Sequence, residues 1–226
     1  MIQGLAARYP SWPYVAPFVA FLAFLAWGPY SGLGIESHYP IRVVVVTGVL
    51  LLWSRRLIRL NTSRPVASIA IGLLVFLVWV GPDLLWPGYR THWLFQNSLT
   101  GEAASSVAAP HRTAGAFLAW RLAGLVLLVP VIEELFWRAW IMRYIISRDF
   151  ERIPLGAYSA AAFWISAVLF ASEHGPYWDV GLAAGIAFNW WMIRTRNLGN
   201  CILAHAVTNG CLGVYVLAFS KWEYLQ

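Results

Sequence analysis

The chain has 226 residues, of which 60% are hydrophobic, 16% aromatic and only 12% charged, whereas charged residues make up about 25% of an average soluble domain. This composition excludes a soluble globular domain, and the lack of long charge runs excludes a disordered chain or a coiled coil. The two cysteines, Cys201 and Cys211, are too few for a disulfide scaffold and have no metal-binding or redox spacing. The net charge of +6 comes from fifteen arginines and one lysine in short clusters between apolar segments, a pattern typical of membrane topology and not of nucleic-acid binding.

Apolar segments long enough to cross a bilayer recur along the whole chain, since about 30 Å of hydrocarbon requires roughly 17 to 25 helical residues. The predicted spans are, in chain order, 14–33, 39–54, 66–86, 113–146, 157–174, 178–194 and 199–220. The fourth is too long for one simple span and carries Pro130 near its middle, which predicts either a kinked, tilted helix or two segments. The predicted fold is an all-α polytopic membrane protein, with about seven to eight transmembrane helices in one bundle and a single membrane domain over 1–226.

The distribution of basic residues predicts the orientation, because cytoplasmic flanks of membrane helices collect Arg and Lys. If the first span enters from the cytoplasm, ten arginines lie inside and only four basic residues lie outside. The inside set is Arg8, Arg55, Arg56, Arg59, Arg64, Arg143, Arg148, Arg152, Arg194 and Arg196, and the outside set is Arg42, Arg90, Arg112 and Lys221. We therefore expect a cytoplasmic N-terminus, a first helix that is not cleaved as a signal peptide, and an external loop over about 87–112.

Ionisable residues inside membrane spans are costly unless they are paired or hydrated, so they are candidates for function. Glu133, Glu134 and Arg138 lie in the fourth predicted span, and the i to i+4 spacing of Glu134 and Arg138 predicts an ion pair on one helical face. Glu133 is rotated by about 100° from Glu134, so we expect it to face another helix or a water-filled cavity. The alternative is that all three residues only link helices.

Two further i to i+4 pairs lie in later spans. His205 and Asn209 can both donate hydrogen bonds to a developing oxyanion, although His and Asn also link membrane helices. Phe170 and His174 form the other pair. A carboxylate, two imidazoles and an amide around one intramembrane cavity are the components of a hydrolase that activates water.

These residues form three motifs that resemble those of the CPBP family, which comprises CAAX prenyl proteases and bacteriocin-processing enzymes and is also called the Abi family. The segment from Glu133-Glu134 to Arg138 resembles its EExxxR motif, Phe170 to His174 its FxxxH motif, and His205 to Asn209 its HxxxN motif. The resemblance covers residues 112–220 as the catalytic core, whereas 1–111 matches only as generic N-terminal transmembrane helices and an external loop. His174-Gly175 and Gly199-Asn200-Cys201 further resemble the bacterial branch found with exosortase protein-sorting systems.

The resemblance implies a glutamic intramembrane endopeptidase that needs no metal or other cofactor. By motif position, Glu133 would be the base that activates water, and His174 would help to hold that water. His205 and Asn209 would stabilise the oxyanion.

Three more residues of the motifs, Glu134, Arg138 and Phe170, would support the site, whereas Glu173 is an additional acid that the motifs do not require. The resemblance also implies the partners, namely a membrane-associated protein or peptide substrate, the lipid bilayer and a protein-sorting system, with no nucleic acid. The implied location is the bacterial inner membrane.

Two other functions stay open at this point. Two His and one Glu also form a zinc-hydrolase ligand set with an open position for water, although no His-Glu-x-x-His occurs on one helix and Asn209 is a poor zinc ligand. A non-enzymatic transporter or assembly partner would instead spread its buried charges along a channel. Whether the four candidate catalytic groups meet around one cavity discriminates between an enzyme and a channel.

The predicted span boundaries place the candidate groups at different depths. With the fifth span running outward, His174 lies near its outer end, whereas His205 is only about two turns from the inner end of the seventh. The groups can meet if the fifth helix starts late, the seventh tilts or the boundaries shift, and we expect the boundaries to be at fault. Arg121 is not assigned a role by the motifs; it could extend toward an interface or join the site, and we expect it to extend toward an interface.

Overall fold

The computed structural model describes residues 8–225, and this part of the chain is helical with no β-strand. Its seven long helices are α1 (Trp12–Tyr30), α2 (Ile35–Ser54), α3 (Pro65–Leu85), α4 (Gly115–Ile146), α5 (Ala160–Ser172), α6 (Trp178–Thr195) and α7 (Leu198–Phe219). Each corresponds to one predicted span, in order and within about four residues at either end. The all-α polytopic fold is therefore confirmed.

The predicted fifth span, 157–174, is longer than the helix that forms there. Within residues 8–225, five helices, α1 to α4 and α7, are long and apolar enough to cross a membrane. Helix α5 has only 13 residues, which is about 20 Å at the rise of an α-helix and less than the roughly 30 Å of a hydrocarbon core. It begins where the Ser159 hydroxyl accepts the Ala162 N–H, and it ends at Ser172. The predicted span 157–174 is thus corrected to a shorter helix.

Helix α4 is one continuous helix of 32 residues, so the two-segment alternative for the fourth span is wrong. Two π-helical stretches, Gly124–Leu128 and Leu135–Ile141, interrupt its regular register. The first lies directly before Pro130, whose ring has no N–H to donate. Here the Val129 N–H donates to the Gly124 carbonyl, five residues back, which is the hydrogen bond of a widened turn.

The loops form two opposite ends of the bundle. At one end Asn200 at the start of α7 donates to the Ser63 hydroxyl at 2.9 Å, and Arg143 near the end of α4 donates to the Ile153 carbonyl at 3.2 Å. We call this the Arg-rich end, because it carries Arg55, Arg56, Arg59, Arg64, Arg143, Arg148, Arg152, Arg194 and Arg196. All nine belong to the set that the sequence placed on one side of the membrane.

At the opposite end, the predicted external loop lies across the turn between α5 and α6. Arg90 forms ion pairs with Asp83 at 3.0 Å and with Asp179, and it donates to the Pro176 carbonyl at 2.8 Å. Although Arg90 was expected among the outside charges, only 7% of its surface is exposed. The loop is therefore joined to the turn between α5 and α6 by a buried network of charges.

Helices α3 and α7 approach each other closely at Gly72. The Thr208 hydroxyl donates to the Gly72 carbonyl at 2.9 Å. A Cβ at Gly72 would contact the Ala204 carbonyl oxygen and lie 2.7 Å from the Val207 Cβ. This contact requires the absence of a side chain at Gly72, because a backbone carbonyl and the Cβ of a β-branched residue cannot move without shifting α7.

We expect Gly72→Ala to lower the free energy of unfolding by about 1–3 kcal/mol, because the added methyl group overpacks the α3–α7 contact. The matched control is Gly81→Ala on the same helix, where a Cβ meets nothing within 4 Å. That control is expected to be neutral or stabilising by up to about 1 kcal/mol, since Ala favours a helix over Gly. Thermal unfolding in detergent measures both, and equal losses would contradict the packing interpretation.

Candidate active site

The ion pair within α4 forms as its spacing predicts. Glu134 and Arg138 are both fully buried, and Arg138 Nη1 lies 3.1 Å from Glu134 Oε1. The guanidinium also lies over the rings of Phe170 and Phe188, at 4.4 Å and 5.4 Å from the ring centroids. These contacts provide attraction that helps to compensate the lost hydration of the charge, so Phe170 supports the pair directly.

The same carboxylate also orients His205. His205 Nδ1 lies 2.9 Å from Glu134 Oε1 and donates to it. The His205 imidazole also stacks on Phe188, with the ring centroids 5.0 Å apart. Because Nδ1 is engaged, Nε2 is the nitrogen left for chemistry, and it lies 3.9 Å from Glu133 Oε2. That separation is too long for a direct hydrogen bond and suits a bridging water.

Glu133 lines a cavity of about 290 Å³, as expected for the glutamate that does not join the ion pair. The same cavity is lined by His174, His205 and Asn209, and also by Glu173. The four candidate catalytic residues therefore meet around one cavity and are not spread along a channel.

His174 reaches this cavity because α5 is short. The distances along the helix from Ala160 to His174 and from Glu133 to Ile146 are both about 20 Å, so both side chains lie at a similar height above the Arg-rich end. His174 Nδ1 donates to the Phe170 carbonyl at 2.8 Å, which leaves Nε2 as the lone-pair nitrogen of a neutral ring. The later start of the fifth helix, at Ala160, removes about 5 Å of the depth difference expected from the sequence.

Asn209 lines the cavity, but its side chain also has a structural contact that the sequence did not predict. Its Nδ2 donates to the Leu125 carbonyl at 2.9 Å. Within α4, Val129 donates to Gly124 instead of Leu125, and the next residue, Pro130, has no N–H. Asn209 therefore satisfies a carbonyl that the helix leaves without a donor, and its second N–H stays free for another acceptor.

Comparison with known proteins finds a similarity to one family over part of the chain. Residues 115–211, which contain all three motifs, match the family model described as type II CAAX prenyl endopeptidase Rce1-like. This segment is similar to the CAAX prenyl protease family. The match confirms the resemblance read from the motifs, and together with the apolar helices it identifies an integral membrane protein. No curated protein and no solved structure matches the chain.

The cavity is also lined by two arginines, Arg42 and Arg121, which were not among the predicted site residues. Arg42 was counted among the outside charges, but it lies within α2, is 5% exposed and sits 4.4 Å from the centroid of the Tyr39 ring. Arg121 lies over the same ring at 4.7 Å and donates to the Ser106 hydroxyl of the predicted external loop at 2.8 Å, so it lines the cavity and also reaches toward that loop. The sequence did contain a signal that Arg42 has a special position, since a charged residue within a predicted span is unusual.

The arrangement of possible metal ligands also bears on the chemistry. Across residues 8–225, no group of three His, Cys, Asp or Glu side chains is arranged to hold a metal ion. The zinc alternative requires Glu133, His174 and His205 to be arranged as three ligands of one metal ion.

We expect Arg138→Gln to lower the free energy of unfolding by about 3–5 kcal/mol, because it leaves the buried Glu134 charge without its partner. The control is Arg152→Gln, which breaks the exposed pair with Asp149 and is expected to cost less than about 1 kcal/mol. Thermal unfolding in detergent compares the two. A loss no larger for Arg138→Gln than for the control would show that the buried pair is not a structural requirement.

A double-mutant cycle tests the structural contact of Asn209. Asn209→Leu leaves the Leu125 carbonyl without a donor, so we expect a loss of about 1–3 kcal/mol in unfolding free energy. In a Pro130→Ala background the backbone regains an N–H in this turn, and the same substitution should cost clearly less. Identical losses in both backgrounds would mean that the contact does not compensate for the proline.

Proposed function

We propose that the chain is a glutamic-type intramembrane endopeptidase, which hydrolyses a peptide bond with water activated by Glu133. The observation that carries this proposal is the placement of Glu133 Oε2 3.9 Å from His205 Nε2 on the wall of one cavity. A water molecule between these two atoms would contact both a proton acceptor and a fixed imidazole.

The proposed reaction assigns each group one task. The water oxygen attacks the scissile carbonyl carbon while its proton moves to the Glu133 carboxylate, and the lone pair of His174 Nε2 helps to hold that water. The oxyanion that forms accepts hydrogen bonds from His205 Nε2, in its imidazolium form, and from the second N–H of Asn209. When the C–N bond breaks, Glu133 returns the proton to the leaving amine, so every proton is accounted for.

The buried supports explain why these groups need little reorganisation. Glu134 accepts from both Arg138 and His205 through Oε1, which orients the imidazole before substrate binds. Preorganised donors in a site shielded from water stabilise charge more strongly than mobile donors do.

A metal-free reaction is preferred to the zinc-dependent alternative on the arrangement of the side chains. The side chains around the cavity do not form a three-ligand group within residues 8–225. The non-enzymatic alternative is disfavoured because the polar groups converge on one cavity.

The proposed substrate is a membrane-associated protein or peptide, because the cavity lies among helices that span the bilayer. The proposed location is the bacterial inner membrane with a cytoplasmic N-terminus, and the grouping of nine arginines at one end of the bundle supports that orientation. The proposed association with an exosortase-type sorting system follows from the motif details around His174 and Asn200.

We expect Glu133→Gln to reduce cleavage of a membrane-anchored peptide by about 10²–10⁴-fold with the unfolding temperature unchanged, because an amide cannot accept the proton from water. Glu173→Gln is the matched control, since this second carboxylate lines the same cavity but has no task in the proposed reaction. Cleavage by purified protein in detergent is the measurement. Loss of activity in Glu173→Gln and its retention in Glu133→Gln would assign the base to Glu173 and contradict the proposal.

A further inference from the structure

A second cavity, of about 340 Å³, lies at the Arg-rich end and does not include any of the candidate catalytic residues. Four arginines form its charged lining, namely Arg56, Arg59, Arg143 and Arg196. Two asparagines, Asn61 and Asn197, also line it. No acidic residue lines it. Four like charges around one cavity repel each other, and a bound anion relieves that repulsion.

The arginines of this cavity are not neutralised by the protein. Arg56, Arg59 and Arg196 form no ion pair with any residue of the described range 8–225. Arg143 is 7% exposed and donates to the carbonyls of Ala139 and Ile153, so its position is fixed but its charge is uncompensated. The cavity therefore presents one buried, positioned guanidinium, that of Arg143, together with three exposed arginines.

Arg196 connects this cavity to an apolar surface. It is the residue after α6, where its backbone is left-handed with φ 51° and its N–H donates to the Met192 carbonyl at 2.7 Å. It also lines a neighbouring cavity of about 330 Å³ together with Trp190, Ile193 and Arg194. Trp190 is 48% exposed, so a ligand at Arg196 would meet guanidinium groups on one side and apolar surface on the other.

We propose that the four arginines bind the phosphate group of an anionic phospholipid, whose acyl chains lie along the apolar surface of α6 that includes Trp190. Basic cavities between transmembrane helices recognise anionic headgroups through charge and hydrogen bonds to phosphate oxygens. The apolar surface next to Arg196 favours a lipid over a free phosphate ion, since only a lipid has an acyl chain to cover it. This site is independent of the proposed proteolysis.

The experiment titrates the purified protein in a neutral detergent with phosphatidylglycerol and follows bound lipid by native mass spectrometry. One variant carries Arg56→Gln, Arg59→Gln and Arg196→Gln, which removes three arginines of the cavity. The control variant carries Arg55→Gln, Arg64→Gln and Arg148→Gln, which removes the same charge from the same end of the bundle but leaves the cavity intact. Any difference between these variants then reports the cavity and not net charge.

We expect the dissociation constant for phosphatidylglycerol to rise on the order of 100-fold in the cavity variant, from about fivefold per arginine near a headgroup, and by less than about tenfold in the control. A third variant, with Arg56→Lys, Arg59→Lys and Arg196→Lys, keeps the charge and should retain most of the affinity, which guards against loss through misfolding. Equal weakening in the cavity and control variants would overturn the proposal. Wild-type binding of phosphatidylcholine or inorganic phosphate as tight as that of phosphatidylglycerol would overturn the assignment to an anionic lipid.

Discussion

One carboxylate oxygen, Glu134 Oε1, determines the geometry of the whole site. It lies 3.1 Å from Arg138 Nη1 and 2.9 Å from His205 Nδ1, so it links α4 to α7 at the centre of the bundle. The charge of Arg138 is needed because a buried carboxylate without a partner is strongly unfavourable in an apolar interior. Since Glu134 is occupied in this way, its neighbour Glu133 is the acid that is left to face the cavity.

Irregular backbone brings the remaining groups to the same place. Pro130 forces α4 out of its regular register, and the carbonyl that this leaves without a donor is satisfied by Asn209 from α7. Helix α5 ends about 20 Å above the Arg-rich end, so His174 lies beside the cavity and not at the membrane surface. Both features would be defects in an isolated helix, yet here they position two of the four candidate catalytic side chains.

The sequence predicted the helix order and the Glu134–Arg138 pair because apolar length and i to i+4 spacing are local properties. It did not predict the length of α5, because Ala and Ser between 157 and 160 are compatible with either a loop or a helix, and only the tertiary structure decides. It also missed Arg42, since a basic residue near a span end fits topology as well as a cavity wall. The contact between Asn209 and Leu125 depends on a π-helical turn, which no spacing in the sequence specifies.

Metal dependence of cleavage tests most directly whether Glu133 activates water by itself. Purified protein would be stripped of metal with a strong chelator, the remaining metal measured by elemental analysis, and hydrolysis of a membrane-anchored peptide compared before and after. We predict an unchanged rate in the metal-free protein, because the proposed base and the groups that hold the oxyanion are side chains of α4 and α7. A rate that disappears with the metal and returns on addition of Zn²⁺ would contradict this mechanism and assign the activation of water to zinc.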